Sequence, residues 1–234
     1  MLDGAVVIAF LLCLVAQIYV SATFRRYSHR ISFSNQRAEV IARYILDQSG
    51  CYDVTIEHTH GNLTDHYDPR TKTLRLSDSV YGNASVAAIG VACHEAGHAI
   101  QHQQAYFPVK IRSALVPITN FVSRMWSAVF VLGMVLLLFA PATAVNGFSI
   151  GYLTIWIAIG VFSVNTLFQL VTLPCEFNAS KRALQAMRST GYFDHSELGV
   201  ARKVLTAAAC TYIASALLSF VQLIRLISIV RRRR

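Results

Sequence analysis

His94-Glu95-Ala96-Gly97-His98 sets two imidazoles four residues apart, with a carboxylate directly after the first. On a helix, positions i and i+4 share one face, so both rings reach one Zn²⁺ while Glu95 lies beside the water that the ion binds. The chemistry this predicts is metal-assisted hydrolysis, with His94 and His98 as metal ligands and Glu95 as catalytic general base. A helix carrying two ordinary histidines is the competing reading. The setting weighs against it, because Asn83 stands at an N-cap position and Ala84 to Cys93 is an apolar, small-residue run typical of a buried helix. Buried His, Glu and His side chains need partners, and zinc supplies them.

A hydrolytic zinc site takes three protein ligands and keeps one position open. His102 follows His98 by four residues, but it lies about 12 Å along the axis from His94 and cannot share its metal on a straight helix. His58, His60 and His66 precede the motif in a strand-like region, where a histidine is more often a polar surface residue; of these His66 is the best placed to line a cleft. Glu176 is the stronger candidate. It follows Pro174, a residue suited to a first helical turn, and it is one of only three carboxylates after Glu95, with Asp194 and Glu197. A glutamate in a first turn also favours the helix dipole, but a two-histidine site without its third ligand tips the reading to a metal role. Cys93 and Cys175 adjoin His94 and Glu176, yet neighbouring helix residues point about 100° apart, so neither is read as a ligand. The five cysteines form no Cys-x-x-Cys pair, and their odd number suits a reducing compartment.

The elements that must position these residues belong to a membrane protein. Hydrophobic residues make up 54% of the chain and charged ones only 14%, too apolar for an ordinary soluble domain. Leu2 to Phe24 is charge-free apart from Asp3, long enough to cross a hydrocarbon core of about 30 Å, and followed by Arg25, Arg26 and Arg30. A cleavable signal peptide would carry its basic residues before the apolar run, not after it. Met125 to Pro141 and Phe148 to Leu173 read as a helical hairpin joined by the uncharged loop Thr143 to Gly147. Arg25 to Arg124 holds eleven Lys/Arg and the hairpin loop none, which predicts an outside N-terminus and two cytoplasmic polar segments. The last apolar stretch, Val204 to Val230, is basic at both ends and contains Arg225. A fourth span, a helix packed on the catalytic segment and an interfacial helix all remain open, with the span slightly favoured. The net charge of +9 matches this arrangement beside anionic lipid, and no basic patch interleaved with aromatics calls for nucleic acid.

The fold expected is thus a mainly α membrane protein with three or four transmembrane helices and a small α+β catalytic region. Its layout is a span over 1–24, a cytoplasmic catalytic region over 25–124 with the motif helix at about 84–103, the hairpin over 125–173, a cytoplasmic helix over 174–203 and the apolar C-terminal helix over 204–234. Ser34 to Gln48 reads as an amphipathic helix capped by serine and ending near Gly50. Tyr52 to His58 and Lys72 to Ser77, the latter after the Asp68-Pro69-Arg70-Thr71 turn, read as strands of a short sheet. An exposed edge of that sheet beside the metal would hold an extended peptide by strand addition.

The motif, the upstream stretch Asn62 to Arg70 with Leu74 to Ser77, and the downstream Leu173-Pro174-Cys175-Glu176-Phe177-Asn178-Ala179-Ser180 together resemble the YugP-type neutral zinc metallopeptidases of bacterial membranes. The resemblance covers nearly the whole chain. More distantly, the segment is similar to the HtpX and CAAX-endopeptidase gluzincins, in which a helix after the motif supplies a glutamate ligand within Glu-x-x-x-Asp. The resemblance implies a zincin-like catalytic region, Zn²⁺ as cofactor, Glu176 as third ligand, and a bacterial cell membrane as location. Ser180 stands where that pattern has its supporting Asp, with Asn178 or a more distant group as possible substitutes. Zinc in such a site makes water acidic enough to ionise near neutral pH, and Glu95 moves the proton to the departing amine. Tyr212 and His66 are the candidates for stabilising the oxyanion. Substrates are proteins or peptides, with membrane proteins geometrically convenient; the oligomeric state is not legible. Two alternatives compete: a site-2-type intramembrane protease, to which Leu2-Asp3-Gly4 has a superficial likeness, and a non-catalytic scaffold with structural zinc.

Overall fold

The structure is a computed structural model and describes residues 2–139, 144–145 and 148–232. Among the described residues, six helices and five short strands follow in the order α1 (Leu2–Tyr27), α2 (Ala38–Gln48), β1 (Thr55–Thr59), β2 (His66–Asp68), β3 (Thr73–Ser77), α3 (Val86–Gln103), α4 (Phe107–Phe139), β4 (Ala144–Val145), β5 (Phe148–Ser149), α5 (Ile150–Ser189) and α6 (His195–Arg232). The protein is mainly helical with a small sheet. Helices α1, α4, α5 and α6 are each long and apolar enough to cross a membrane. The chain divides into two compact units.

One unit comprises the described residues of Met1–Cys13, Ile111–Thr172 and Ile213–Arg234. Its core joins Ile155, Ile159 and Phe162 of α5 to Leu226 and Val230 of α6, with Trp126 and Phe130 of α4 packed against them. Small residues let the helices approach closely, as lipid-embedded packing requires: a Cβ on Gly133 of α4 would lie 3.0 Å from the backbone nitrogen of Ile155. Thr166 and Ser219 share a buried hydroxyl hydrogen bond of 2.9 Å between α5 and α6. Arg225, the charge inside the last apolar stretch, pairs with Asp3 of α1. That stretch is part of one long helix beginning at His195. Helix α4 begins at Phe107, well before Met125, and runs through Pro117. In the expected hairpin loop, Val145 pairs with Phe148 and Ala144 with Ser149 as a two-stranded ribbon. Pro141, Thr143, Asn146 and Gly147, and Arg233 and Arg234 of the basic tail, lie outside the described residues.

The other unit comprises Leu14–Lys110 and Leu173–Tyr212. At its centre is α3, buried along almost its whole length and packed against α2, β2 and β3. Its cap is Ser85, whose hydroxyl accepts from the Ala88 N–H, and not Asn83. The Asn83 carboxamide instead accepts from the Ser85 N–H at 2.8 Å, a turn that delivers Ser85 to the capping position. Helix α2 buries Ala38, Ile41, Ile45 and Leu46, the apolar face that its periodicity predicts, together with Ala42. It starts later than the expected Ser34 because the backbone before it is not helical: Asn35 has a φ of +48° with its N–H donating to the Ser32 carbonyl, and Arg37 is extended. Helix α2 ends at Gln48, and Gly50, just past the cap residue Ser49, has a φ of +76° that suits glycine.

The sheet has the order β1-β3-β2. β1 lies parallel to β3 and β2 antiparallel to it. β1 begins at Thr55 and β3 at Thr73, each slightly later than the alternating pattern suggests. The three-residue strand β2 is too short for a period-2 signal and passes unnoticed in the sequence. β3, which leads into α3, is therefore the central strand, and β2 is the edge strand packed against α3.

Candidate metal centre

Two helices of the second unit bring the candidate ligands together. α3 presents His94 and His98 on one face, their rings 4.8 Å apart and nearly perpendicular. Helix α5 brings Glu176 against that face: its Oε2 lies 3.2 Å from His94 Nε2 and 3.5 Å from His98 Nε2. The three donor atoms all fall within 4.8 Å of one another. Glu95, adjacent in the chain to His94, is also buried.

This donor set fits zinc. At bond lengths of about 2.0–2.2 Å, two ligand atoms of a tetrahedral site stand roughly 3.3 Å apart, close to both measured N···O separations. Glu176 is only 2% exposed, and a carboxylate so deeply buried against two imidazoles calls for positive charge. Two imidazole nitrogens and one carboxylate oxygen suit a borderline ion such as Zn²⁺.

The outer nitrogens of both rings are held from behind. Gln101, fully buried and one turn after His98, donates through Nε2 to the Cys175 carbonyl at 2.7 Å and to Asn178 Oδ1 at 3.0 Å. Its Oε1 is thereby turned to accept from His98 Nδ1, at 3.0 Å. That bond places the proton on Nδ1 and leaves the Nε2 lone pair facing Glu176. Asn178 is itself fixed by Arg182 Nε at 2.7 Å. On the other ring, Ser180 Oγ lies 3.1 Å from His94 Nδ1. The residue at the position of the supporting Asp thus faces the His94 ring as a neutral hydroxyl. Gln101 escaped sequence reading, although its spacing of three from His98 was available as a signal.

Gly97, between the two histidines, allows the helices to meet. A Cβ there would stand 2.6 Å from the Ala179 carbonyl oxygen of α5. Pro174 does not open a new helix as its sequence context suggested: α5 is continuous from Ile150 to Ser189 with Pro174 inside it. A proline removes a single N–H from the ladder, and helices pass through it where surrounding packing sustains them.

The remaining candidates fall outside the group of His94, His98 and Glu176. His102 Nδ1 faces the Tyr67 hydroxyl at 3.3 Å, outside the ligand group. His66, exposed on β2, donates from Nδ1 to the Thr64 carbonyl at 2.9 Å. Tyr212 is half-buried on α6. Cys93 and Cys175 are fully buried, and burial pushes the Cys93 thiol up, away from the thiolate that a metal would need. His58 and His60 gather instead around Asp78.

The support for His98 gives a direct expectation. Replacing Gln101 by Leu, which keeps about the same volume but removes the acceptor that holds the His98 ring, should weaken zinc binding about 10–100-fold. Competition with a calibrated chelator measures this, and unchanged affinity would remove Gln101 from the site's architecture.

Residues 4–231 match the protein family described as "putative neutral zinc metallopeptidase". The chain is also 42% identical over 215 residues, 92% of its own length and 89% of the relative's, to the "putative membrane protease YugP" of Bacillus subtilis (strain 168). No solved structure matches. With the match spanning nearly every residue and including both helices of the metal centre, the chain belongs to this family of zinc metallopeptidases.

Proposed function

We propose that this protein is a membrane-bound zinc-dependent metalloendopeptidase that hydrolyses peptide bonds close to the cytoplasmic membrane surface. The observation that carries the reading is the convergence of His94, His98 and Glu176, two of them buried and His98 half-buried, beside the buried Glu95. His94, His98 and Glu176 are the ligands in this reading and Glu95 the general base. When bound there, zinc supplies a Lewis acid that acidifies water and polarises the scissile carbonyl. Gln101 and Ser180 fix the two imidazoles so that both Nε2 lone pairs stay aimed inward. Glu95 takes a proton from the attacking water and returns it to the departing amine nitrogen. Tyr212 and His66 are the candidate donors to the oxyanion.

The cytoplasmic placement rests on charge and continuity. The hairpin connection carries no Lys or Arg, whereas the segments on either side of the hairpin are basic. Glu176 lies on the helix that also forms the third apolar span, about 5 Å of axial rise beyond Leu173. Proteins anchored in the same membrane, or their exposed ends, are the proposed substrates, and edge strand β2, packed against α3, offers a sheet edge for an extended chain. The pairing of Arg225 with Asp3 gives the last apolar helix a neutralised charge, which supports a fourth span. It also engages Asp3, the residue that a site-2-type reading would have needed as a ligand.

The test combines metal analysis with hydrolysis in oriented vesicles. Purified protein is expected to hold one tight zinc and to lose hydrolysis on chelation, and Glu176→Ala is expected to lose the zinc. Inverted vesicles should cleave an added peptide that right-side-out vesicles leave intact, and a substrate tethered in the bilayer should be cut faster than its soluble form at matched concentration. Zinc content unchanged by Glu176→Ala would sink the ligand set, and chelator-insensitive hydrolysis the zinc mechanism. Equal cleavage in both vesicle orientations would sink the cytoplasmic placement, and equal rates on the two substrates the membrane preference.

A further inference from the structure

A second set of metal-type donors lies at the far end of the small sheet. His58 and His60 are two residues apart at the end of β1, so both side chains leave the strand on the same side. β1 and β3 run parallel and end together, with Thr59 opposite Ser77, which brings the residues just past both ends into one place. Those residues are His60 and Asp78.

The exit loops are locked to each other by a reciprocal pair of hydrogen bonds. The Gly61 N–H donates to Asp78 Oδ2 at 2.8 Å, and the Asp78 N–H donates to the Gly61 carbonyl at 3.0 Å. Gly61 has a φ of +114°, a conformation open to glycine and strained for other residues. With Oδ2 held, Oδ1 faces the histidines, 2.6 Å from His58 Nε2 and 3.7 Å from His60 Nδ1. The imidazoles meet edge to face at 5.4 Å, and the Tyr81 ring lies against His58 at 5.4 Å, tilted by 59°. One donor atom from each of the three residues lies within 4.8 Å of the other two.

We propose that His58, His60 and Asp78 form a second zinc-binding site, exposed at the sheet's end and independent of the buried centre. Its donors, two imidazole nitrogens and one carboxylate oxygen, have the composition zinc prefers. The surroundings differ: all three residues are exposed, His60 at 95% of its side chain, so water completes the coordination and the ion exchanges with solvent. The binding is accordingly weaker than at the buried centre. A metal here clips the end of β1 to the end of β3 and pins the 60–65 connection that leads into β2, the edge strand beside α3. The site shares no residue with the one assigned to hydrolysis and does not rest on that assignment. An exposed His–Asp hydrogen bond with no metal affinity is the opposing account of the same contacts.

The experiment is titration of the full-length, detergent-solubilised protein with Zn²⁺ and, separately, Co²⁺, followed by equilibrium dialysis and by the cobalt visible spectrum. Wild type is expected to bind two equivalents of unequal affinity. His58→Gln with His60→Gln should lose the weaker equivalent and retain the tight one, whose retention shows that the variant is folded. Asp78→Asn, which still accepts from the Gly61 N–H, should also lose the weaker equivalent. The raised melting temperature that wild type shows on adding zinc beyond the first equivalent should vanish in both variants. A wild type that binds only the tight equivalent, or a double His variant with unchanged stoichiometry and affinities, overturns the proposal. Loss of the tight equivalent in His98→Ala reports on the buried centre alone, so the two assignments fail separately.

Discussion

Glu95→Gln is expected to lower peptide hydrolysis by roughly 10²–10⁴-fold while leaving the bound zinc in place, the range general acid–base groups typically contribute. Glutamine keeps the size and the hydrogen-bonding reach of the side chain but cannot accept a proton from water at neutral pH. Glu95 lies outside the His94, His98 and Glu176 donor group, so its replacement leaves three ligands untouched. That separation makes the variant decisive between function classes. A peptidase loses turnover at full zinc occupancy, whereas a scaffold holding structural zinc keeps its cellular role because nothing it uses has changed. Zinc analysis and turnover on one preparation read both quantities together. Loss of zinc in step with activity would instead make Glu95 a ligand and leave the base unassigned.

The legible parts of this fold were those written in long periodic or strongly apolar segments. The apolar spans, the buried face of α2 and the motif helix all follow from patterns several turns long, where the signal accumulates. Boundaries were less legible because they depend on partners distant in sequence. Ser34 has the chemistry of a cap, yet α2 starts at Ala38, whose N–H donates to the distant Asn83 carbonyl. Asn83 and Ser85 are both capping residues, and only the fold decides that one forms the turn and the other the cap. In the site, His94, His98 and Glu176 could be named as candidates from chemistry alone, since few other residues could complete the coordination, and the fold brings their donor atoms together. Gln101 could not: a glutamine on a helix has many uses, and only the approach of α5, with the Cys175 carbonyl and Asn178, gives this one its role. The parallel pairing of β1 with β3 is equally nonlocal, and it alone makes two surface histidines and an aspartate 18 residues later into a cluster.

Gly97→Ala is expected to destabilise the protein and weaken zinc binding, against the sign that helix propensity gives. Alanine is favoured over glycine inside a helix by about 1 kcal/mol, so α3 considered alone would gain from the change. The new Cβ would stand 2.6 Å from the Ala179 carbonyl oxygen, 3.2 Å from its carbon and 3.3 Å from its Cα. All three are backbone atoms, so no rotamer change relieves the contact and α3 and α5 must move apart. Overpacking of this kind typically costs about 1–3 kcal/mol, enough to cancel the propensity gain or reverse it. The larger consequence is positional. Ala179 is one helical turn from Glu176, so displacement of α5 carries the carboxylate away from His94 and His98, and a misplacement on the order of 1 Å in such a site costs about 10²-fold in rate. Gly90→Ala supplies the comparison on the same helix, because its Cβ would meet the Ala201 Cβ at an ordinary 3.5 Å. That variant should match or exceed wild type in stability and bind zinc unchanged. If both variants melt and bind zinc alike, the close approach at Gly97 does not set the position of Glu176. If only Gly97→Ala loses affinity, the glycine inside the motif is there for the helix that brings the third ligand.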